Sequence, residues 1–364
     1  MRFPQRVKLA LVLPSLIALH LPVLAEDKPS IVNIGVANVG QGGRPQIGGS
    51  WIATAHAKGM LEEEFKADGI QIRWHFFKTA GPGVNEAYTN RLLDLAWQGD
   101  LPQIIGKANG LPTKFILATS RRAPFYLVAT EDSSAGAVKD IAGRKVAIFK
   151  GTCTQLAANR VLEANGLGEK DLKVYNMDNV TTVAALASKD VELAFGGNNL
   201  FSVRDRGLAK VIYNAQEDNG GKFGCSTGVT VTEDFAAKYP DVVKRIVKTF
   251  LKAAVWTEDP KNRAQVYQVW AKSGFPYRYW EQDSAKQDFH RQFSPLIDEW
   301  FVASYKKSIA DAKRFGLLKR DIDLDQWFDR SYLNAALKEL NLENHWQPEK
   351  AEAWQNGGSV QATN

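Results

Sequence analysis

The sequence predicts an α/β protein of two lobes, each a sheet covered by helices, with a ligand cleft between them. Three observations predict it. Apolar strand-like runs alternate with helical stretches from residue 31 onward, the pattern of a mostly parallel sheet with helices on both faces. Near Phe125 the pattern restarts. The octet LDLAWQGD at 93–100 is also written a second time, as VELAFGGN at 191–198. In two lobes built alike, that echo places Gly99-Asp100 and Gly197-Asn198 on matching loops. Such loops lie at the carboxyl ends of equivalent strands, where ligands of open α/β sheets settle.

The first 25 residues stand apart from the fold. Arg2, Arg6 and Lys8 make a basic start, an apolar run follows from Leu9 to Leu24, and Val23-Leu24-Ala25 ends in small residues before Glu26. That is a secretory signal peptide over 1–25. The run holds Pro14, His20 and Pro22 and spans about 16 residues, short of the roughly 20 a membrane-crossing helix uses. No cysteine follows it, so a lipid anchor is not expected and the periplasm is. Removing it takes three basic and no acidic residues, so the net charge of +6 falls to +3 on 339 residues. No basic stripe marks a nucleic-acid partner, and the length exceeds one usual core. With two cysteines, Cys153 and Cys225, no CxxC, no HExxH and scattered histidines, neither a metal nor a cofactor is expected.

Each element has its own justification. IVNIGVANV at 31–39 reads as a buried strand opening into the glycine-rich loop GQGGRPQIGGS, after which Ser50 caps the helix WIATAHAKGMLEEEF. IQIRWHFF is a strand, AGPGVNEAYTNRL a helix with Pro82 in its first turn, LDLAW a strand and TKFILATS another. The second unit repeats the scheme with PFYLVAT, RKVAIFKG, the helix CTQLAANRVLEANG, DLKVYNM, the helix NVTTVAALASK, VELAF and LAKVIY. After CSTGVTVTEDF the chain turns strongly helical, and seven of its ten tryptophans lie in that tail.

The loops favour oxygen atoms over catalysis. Gly151-Thr152-Cys153-Thr154 opens a helix after a strand, where free N–H groups and the positive helix end suit an anion. Gly81-Pro82-Gly83 and Gly99-Asp100-Leu101 are two more strand-to-helix turns of this kind. Gln41, Gly43 and Arg44 sit in the long first loop, and Arg121-Arg122 fall where one unit passes to the next. Either arginine site offers a guanidinium for a sulfonate, phosphate or carboxylate. Trp51 and Trp97 are candidates for a ligand's apolar part, with core packing as the plainer role. No GxSxG elbow occurs, so the reading is a binder and not an enzyme.

Taken together, FFKTAGPGVNEA, LDLAWQGDLPQI, DIAGRKVAIFKGT and VTEDFAAKYPDVV resemble the periplasmic substrate-binding proteins of ABC importers, in the branch of aliphatic sulfonate binders with taurine and nitrate binders as relatives. The resemblance runs from about residue 31 to 346. It implies an α/β, two-lobed, periplasmic-binding-protein-like (type II) fold with two crossing hinge strands, at 121–130 and 226–233. Lobe I would hold 26–122 and 231–364, and lobe II 123–230. A small anionic organic ligand, an aliphatic sulfonate or sulfate ester, would sit among the loops named above, and the partner would be a membrane permease, with the carrier a monomer. Nitrate or taurine binding, or an exported enzyme on the same fold, are the alternatives. The resemblance also places Cys153 and Cys225 in loops near the cleft, where a bridge between them is open. Gly196-Gly197-Asn198-Asn199 departs from the aromatic and Asp-Pro of many members, and the GQGGRPQIGG loop looks long. Both changes put an inherited ligand in doubt and add Asn198 and Asn199 to the candidate wall.

Overall fold

A computed structural model describes residues 28–219 and 221–352; the signal peptide read over 1–25 lies outside the described residues. Ten strands are described: β1 (Ile31–Val36), β2 (Gln71–Phe76), β3 (Leu95–Gly99), β4 (Thr113–Ser120), β5 (Tyr126–Thr130), β6 (Lys145–Ile148), β7 (Lys173–Asn176), β8 (Leu193–Gly196), β9 (Ala209–Asn214) and β10 (Thr227–Thr232). They form two five-stranded sheets with the orders β2-β1-β3-β10-β4 and β7-β6-β8-β5-β9. The two orders are the same scheme written twice. β3 and β8 hold the same place in their sheets, which answers the repeated octet.

The expectation of mostly parallel sheets needs one correction. β1 pairs parallel with β2 and β3, and β6 with β7 and β8, but each sheet contains one reversed strand. β10 runs antiparallel between β3 and β4, and β5 runs antiparallel between β8 and β9. The reason is connectivity. A strand arriving from the other sheet enters at the edge where the parallel strands end, so it must run back against them. The chain crosses after β4 and crosses back before β10.

Helices cover both sheets. Ser50 caps as expected, its Oγ accepting from Ile52 N at 3.1 Å, but the long helix read after it is broken. It divides into Trp51–Ala57 and Met60–Phe65 because Gly59, at φ 61°, takes the left-handed conformation that ends a turn. The tail from Glu233 to Trp346 packs into the first sheet's core, contributing Phe250, Trp270, Trp300, Phe301, Tyr305 and Trp327. It also covers the sheet's outer strand. Phe328 bridges to Phe115 of β4, and Asp329 N donates to Phe115 O at 2.9 Å, so the β4 edge is not left open. The second sheet carries separate cores on its two faces.

Arg121 lies at the first crossing, 1 % exposed, and is tied to the tail. Its Nη1 meets Asp298 at 2.9 Å and Glu349 at 3.4 Å, and its Nη2 donates to Leu296 O at 2.8 Å. The neighbouring Arg122 lies over the Trp300 ring at 4.2 Å. Removing one partner of a buried, hydrogen-bonded pair strands the other charge. Arg121→Met is therefore expected to lower the unfolding free energy by about 3–5 kcal/mol, measured as a shift in a urea unfolding curve.

Candidate functional site

The topology puts one edge of each sheet to work. The carboxyl ends of β1, β3, β4, β6, β7 and β8, and the entering ends of β5 and β10, all open towards one cavity of about 370 Å³. Its wall takes Asn38 to Gly42 and Ile47 to Ser50 from the loop after β1, Trp97 from β3 and Ser120 from β4. Pro124 and Phe125 come from the first crossing, Cys225 and Thr227 from the second. The second lobe adds Cys153 and Thr154, Asn179 to Val183, and Gly197 to Ser202, while the tail adds Phe275, Trp280 and Asp283.

The residues singled out in the sequence divide between this wall and its support. Gln41, Ser50, Cys153, Thr154, Asn198 and Asn199 line the cavity. Gly43 and Arg44 are exposed on the first loop outside the wall, with the Arg44 guanidinium beside Gly274. Trp51 is fully buried in the core, its Nε1 donating to Phe293 O at 3.2 Å. Trp97 faces the cavity and donates to Thr119 Oγ1 at 2.9 Å. Arg121 sits in the crossing described above.

The three glycine-rich turns do meet, and they meet in direct contact. A Cβ on Gly99 would lie 2.7 Å from the Cys153 Cβ, and one on Gly151 would lie 2.9 Å from the Pro82 ring. Gly81 packs on Pro102, and Gly83 on Thr79 and Phe77. Leu101 is core, and Asp100 is buried. The Asp100 carboxylate accepts from Ser308 Oγ and Leu101 N, both at 2.8 Å. Burial raises its pKa, and Arg160 and these hydrogen bonds pull it back. Asp100 thus belongs to a buried network joining the lobes, in which Arg160 donates to Asp311 at 2.8 Å and to Ser308 Oγ at 2.9 Å.

The helix Cys153–Ala164 begins at the cavity with no side-chain cap. Thr152 Oγ1 is turned away, donating to Phe149 O at 2.7 Å, and Gly151 N is held by Gln155 Oε1 at 2.8 Å. Thr152 and Gly151 therefore shape the turn, while Cys153 and Thr154 face the cavity. Across from them, Asn199 Oδ1 accepts from Gly197 N at 3.1 Å, which leaves its amide NH2 as the free end. Asn198 Nδ2, Asn199 Nδ2 and Trp280 Nε1 are buried without a hydrogen-bond partner among the described residues. Such donors are costly to leave unmade and mark where an acceptor belongs.

Charge in the wall is sparse. No lysine, arginine or histidine is among the described lining residues, and Asp283 is the one carboxyl. Burial pushes that carboxyl up to about 7, the Tyr126 hydroxyl pulling the other way as it donates at 2.8 Å. Cys153 is bonded to Cys225 across 72 positions, so no thiolate nucleophile stands at this helix start. Two of the histidines that read as scattered come together elsewhere. His290 and His345 converge with Glu258, their ligand atoms all within 4.8 Å, a set that could hold a divalent cation. Glu258 also accepts from Trp346 Nε1 at 2.8 Å, so these contacts tie the C-terminal segment to the long helix Pro240–Glu258.

Sequence reasoning missed Asn38, Phe125, Asn179, Phe275, Trp280 and Asp283. Asn38 and Asn179 meet across the lobes at 3.4 Å. Nothing local distinguishes these residues; only Trp280, one of the many tail tryptophans, carried any signal.

Comparison with known proteins follows the geometry. The NMT1/THI5 like family model matches residues 64–263, more than half of the chain. An aliphatic sulfonates-binding protein of Bacillus subtilis (strain 168) is 27% identical over 213 residues, 58% of this chain and 63% of that relative. This chain thus matches under two thirds of that relative's length. A solved periplasmic sulfonate-binding protein, SsuA from Methylobacillus flagellatus KT, superposes with a TM-score of 0.71 at 26% identity, covering 88% of this chain and 97% of that one. The desulfurization enzyme DSZB shares the fold at 17% identity, with a TM-score of 0.64 over 85% of this chain and 99% of that one. The two-lobed arrangement with two crossings is therefore the periplasmic-binding-protein fold.

The disulfide makes a measurable claim. Unfolded but unreduced protein is expected to show no titratable thiol. Closing a loop of 72 positions stabilises by about 4 kcal/mol in the chain-entropy account, so reduction should lower the denaturation midpoint accordingly.

Proposed function

This chain belongs to the NMT1/THI5-like family, and from that membership we propose that it is the solute-binding component of an ABC importer. It captures a small organosulfur oxyanion, an aliphatic sulfonate or a sulfate ester, and delivers it to a membrane permease. The reading includes export to the periplasm behind the 1–25 leader, action as a monomer without nucleic acid, and binding without turnover. Lobe I is 26–122 with the tail, and lobe II begins at 123. With β10 in the first sheet, we end lobe II near residue 226 instead of 230.

The observation that carries the reading is the set of unpartnered donors among the wall residues of one cavity. Asn198 Nδ2, Asn199 Nδ2 and Trp280 Nε1, with the uncapped start of the Cys153 helix, belong to wall residues of one cavity supplied by lobe II and the tail. An oxyanion head accepts from several such groups at once. Trp97, Phe125, Phe275 and Val183 offer an apolar surface to its organic body. Contacts from both lobes to one ligand favour the closed form, because an open cleft makes only half of them. Micromolar binding needs only about −8 kcal/mol, within reach of these contacts.

Two measurements check this. In a thermal-shift panel on ligand-stripped protein, alkanesulfonates and alkyl sulfates of rising chain length are expected to stabilise. At 100 times the dissociation constant the gain is about 2.7 kcal/mol. Nitrate-only or taurine-only shifts would select an alternative, and consumption of a bound sulfinate or sulfonate would select an enzyme. In Asn199→Asp, a carboxylate oxygen replaces the free amide, and calorimetry should show sulfonate affinity falling by at least about ten-fold, the worth of one hydrogen bond to a charged group.

A further inference from the structure

Outside the cavity wall, three remote parts of the chain bring a buried carboxylate and two imidazoles together. Glu258 ends the helix Pro240–Glu258, His290 lies in the short helix Phe289–Gln292, and His345 belongs to the C-terminal segment. His290 Nδ1 lies 3.2 Å from Glu258 Oε1, and His345 Nε2 meets the same oxygen. All three ligand atoms fall within 4.8 Å of one another. Ligands of a tetrahedral zinc ion stand about 3.3 Å apart, given metal bonds of about 2.0–2.1 Å, so the spacing suits one shared ion. The second carboxylate oxygen is already engaged. Trp346 Nε1 donates to Glu258 Oε2 at 2.8 Å, which fixes the carboxylate's plane and leaves Oε1 to ligate. Outer hydrogen bonds of this kind orient metal-binding carboxylates. The same indole packs edge-on to His345 at 4.6 Å and stacks along His290 at 6.3 Å, so both rings are held in position.

The charge balance points independently to a cation. The carboxyl end of a helix carries partial negative charge and favours a basic side chain. The last turn of Pro240–Glu258 has no basic residue and ends instead on Glu258, which is almost wholly buried. Among the described residues its ion pairs are with His290 and His345, and these balance it only when an imidazole carries an extra proton. A divalent ion balances the carboxylate and the helix end with both imidazoles neutral. The other candidate soft ligands are engaged elsewhere. Cys153 and Cys225 are bonded to each other, His75 meets Asn33 at 3.1 Å, and His56 packs against the Trp74 and Phe76 rings.

We propose that Glu258, His290 and His345 form a binding site for a divalent transition ion of the zinc class. Two imidazole nitrogens and one carboxylate oxygen suit such an ion, whereas calcium and magnesium take sets of oxygen atoms. Three protein ligands leave a fourth position to water, and both imidazoles are partly exposed, which gives the ion its path in. The ion acts as a tie. It pins the C-terminal segment to the long helix at His345, four residues before Glu349. Glu349 accepts from Arg291 Nη2 at 2.7 Å and pairs with Arg121 and Arg122 at the first crossing. Metal occupancy therefore fixes the segment that reaches the joint between the lobes, whatever ligand the cavity takes.

Calorimetric titration of tag-free, EDTA-dialysed mature protein with zinc alone tests the site. One equivalent is expected to bind with a micromolar or lower dissociation constant. Cobalt(II) in its place should give the visible absorption of a four-coordinate nitrogen and oxygen site, displaced by zinc and untouched by calcium. His290→Gln and His345→Gln should each weaken zinc binding by more than about a hundred-fold, the upper cost of losing an outer partner alone. His75→Gln should bind zinc as the unaltered protein does. Zinc should raise the melting temperature of the unaltered protein but of neither site variant. If those variants do not fold, hydrogen exchange on the unaltered protein gives the answer. Zinc should slow exchange over 289–292 and 342–349 and leave the second lobe unchanged. Saturation only at millimolar zinc, undiminished binding in either site variant, or slowed exchange confined to other segments overturns the proposal.

Discussion

The bond between Cys153 and Cys225 ties a helix that opens onto the cavity to the segment by which the chain returns to its first sheet. What the cavity can recognise depends on that anchor. A helix start binds through backbone N–H groups whose direction is set by the turn, and here the turn is closed from both sides. Gly99 of the opposite sheet touches Cys153 with no room for a side chain, and Pro82 touches Gly151 in the same way. The site is thus built on backbone contacts between lobes, and its geometry follows from the closed arrangement of the two sheets.

Contacts between the lobes fall into two kinds. Away from the cavity, Arg160, Asp311, Ser308 and Asp100 form a network whose charged members are almost wholly buried. Breaking it would leave charges without solvent or partner, which is expensive. Beside the cavity the links are looser: Lys78 to Asp178 at 3.5 Å, with the lysine largely exposed, and Asn38 to Asn179 at 3.4 Å. Exposed pairs of this sort contribute at most about 1 kcal/mol. The lobes are thus joined by strong buried contacts away from the cavity and by weak contacts beside it.

The wall's electrostatics are the less expected feature. Oxyanions are often met by guanidinium groups, yet Arg121 is spent on Asp298 and Glu349 at the crossing, and Arg44 lies outside the wall. Neutral dipoles remain: two asparagine amides, an indole N–H and a helix start. Such donors recognise oxygen atoms without demanding a fixed net charge.

Much of the fold was legible along the chain. Apolar patterning located the ten described strands and most helices, and the octet at 93–100 and 191–198 located two strands that proved equivalent. Those signals are local, because burial on one or both faces is written residue by residue. The glycine turns were legible too, as glycine is required where backbones touch. Reversal of β5 and β10 was not, since a strand's direction depends on which sheet the chain has just left. Most of the wall was also illegible. Trp280 and Asp283 reach the cavity from a tail helix more than 150 positions after the first loop, and Asn38 finds Asn179 across 141. By itself the sequence determined where backbone could approach backbone and which turns could receive oxygen. Only the tertiary structure decided which polar groups were left unpartnered around the cavity, because a donor is free or spent according to neighbours that arrive from distant parts of the chain.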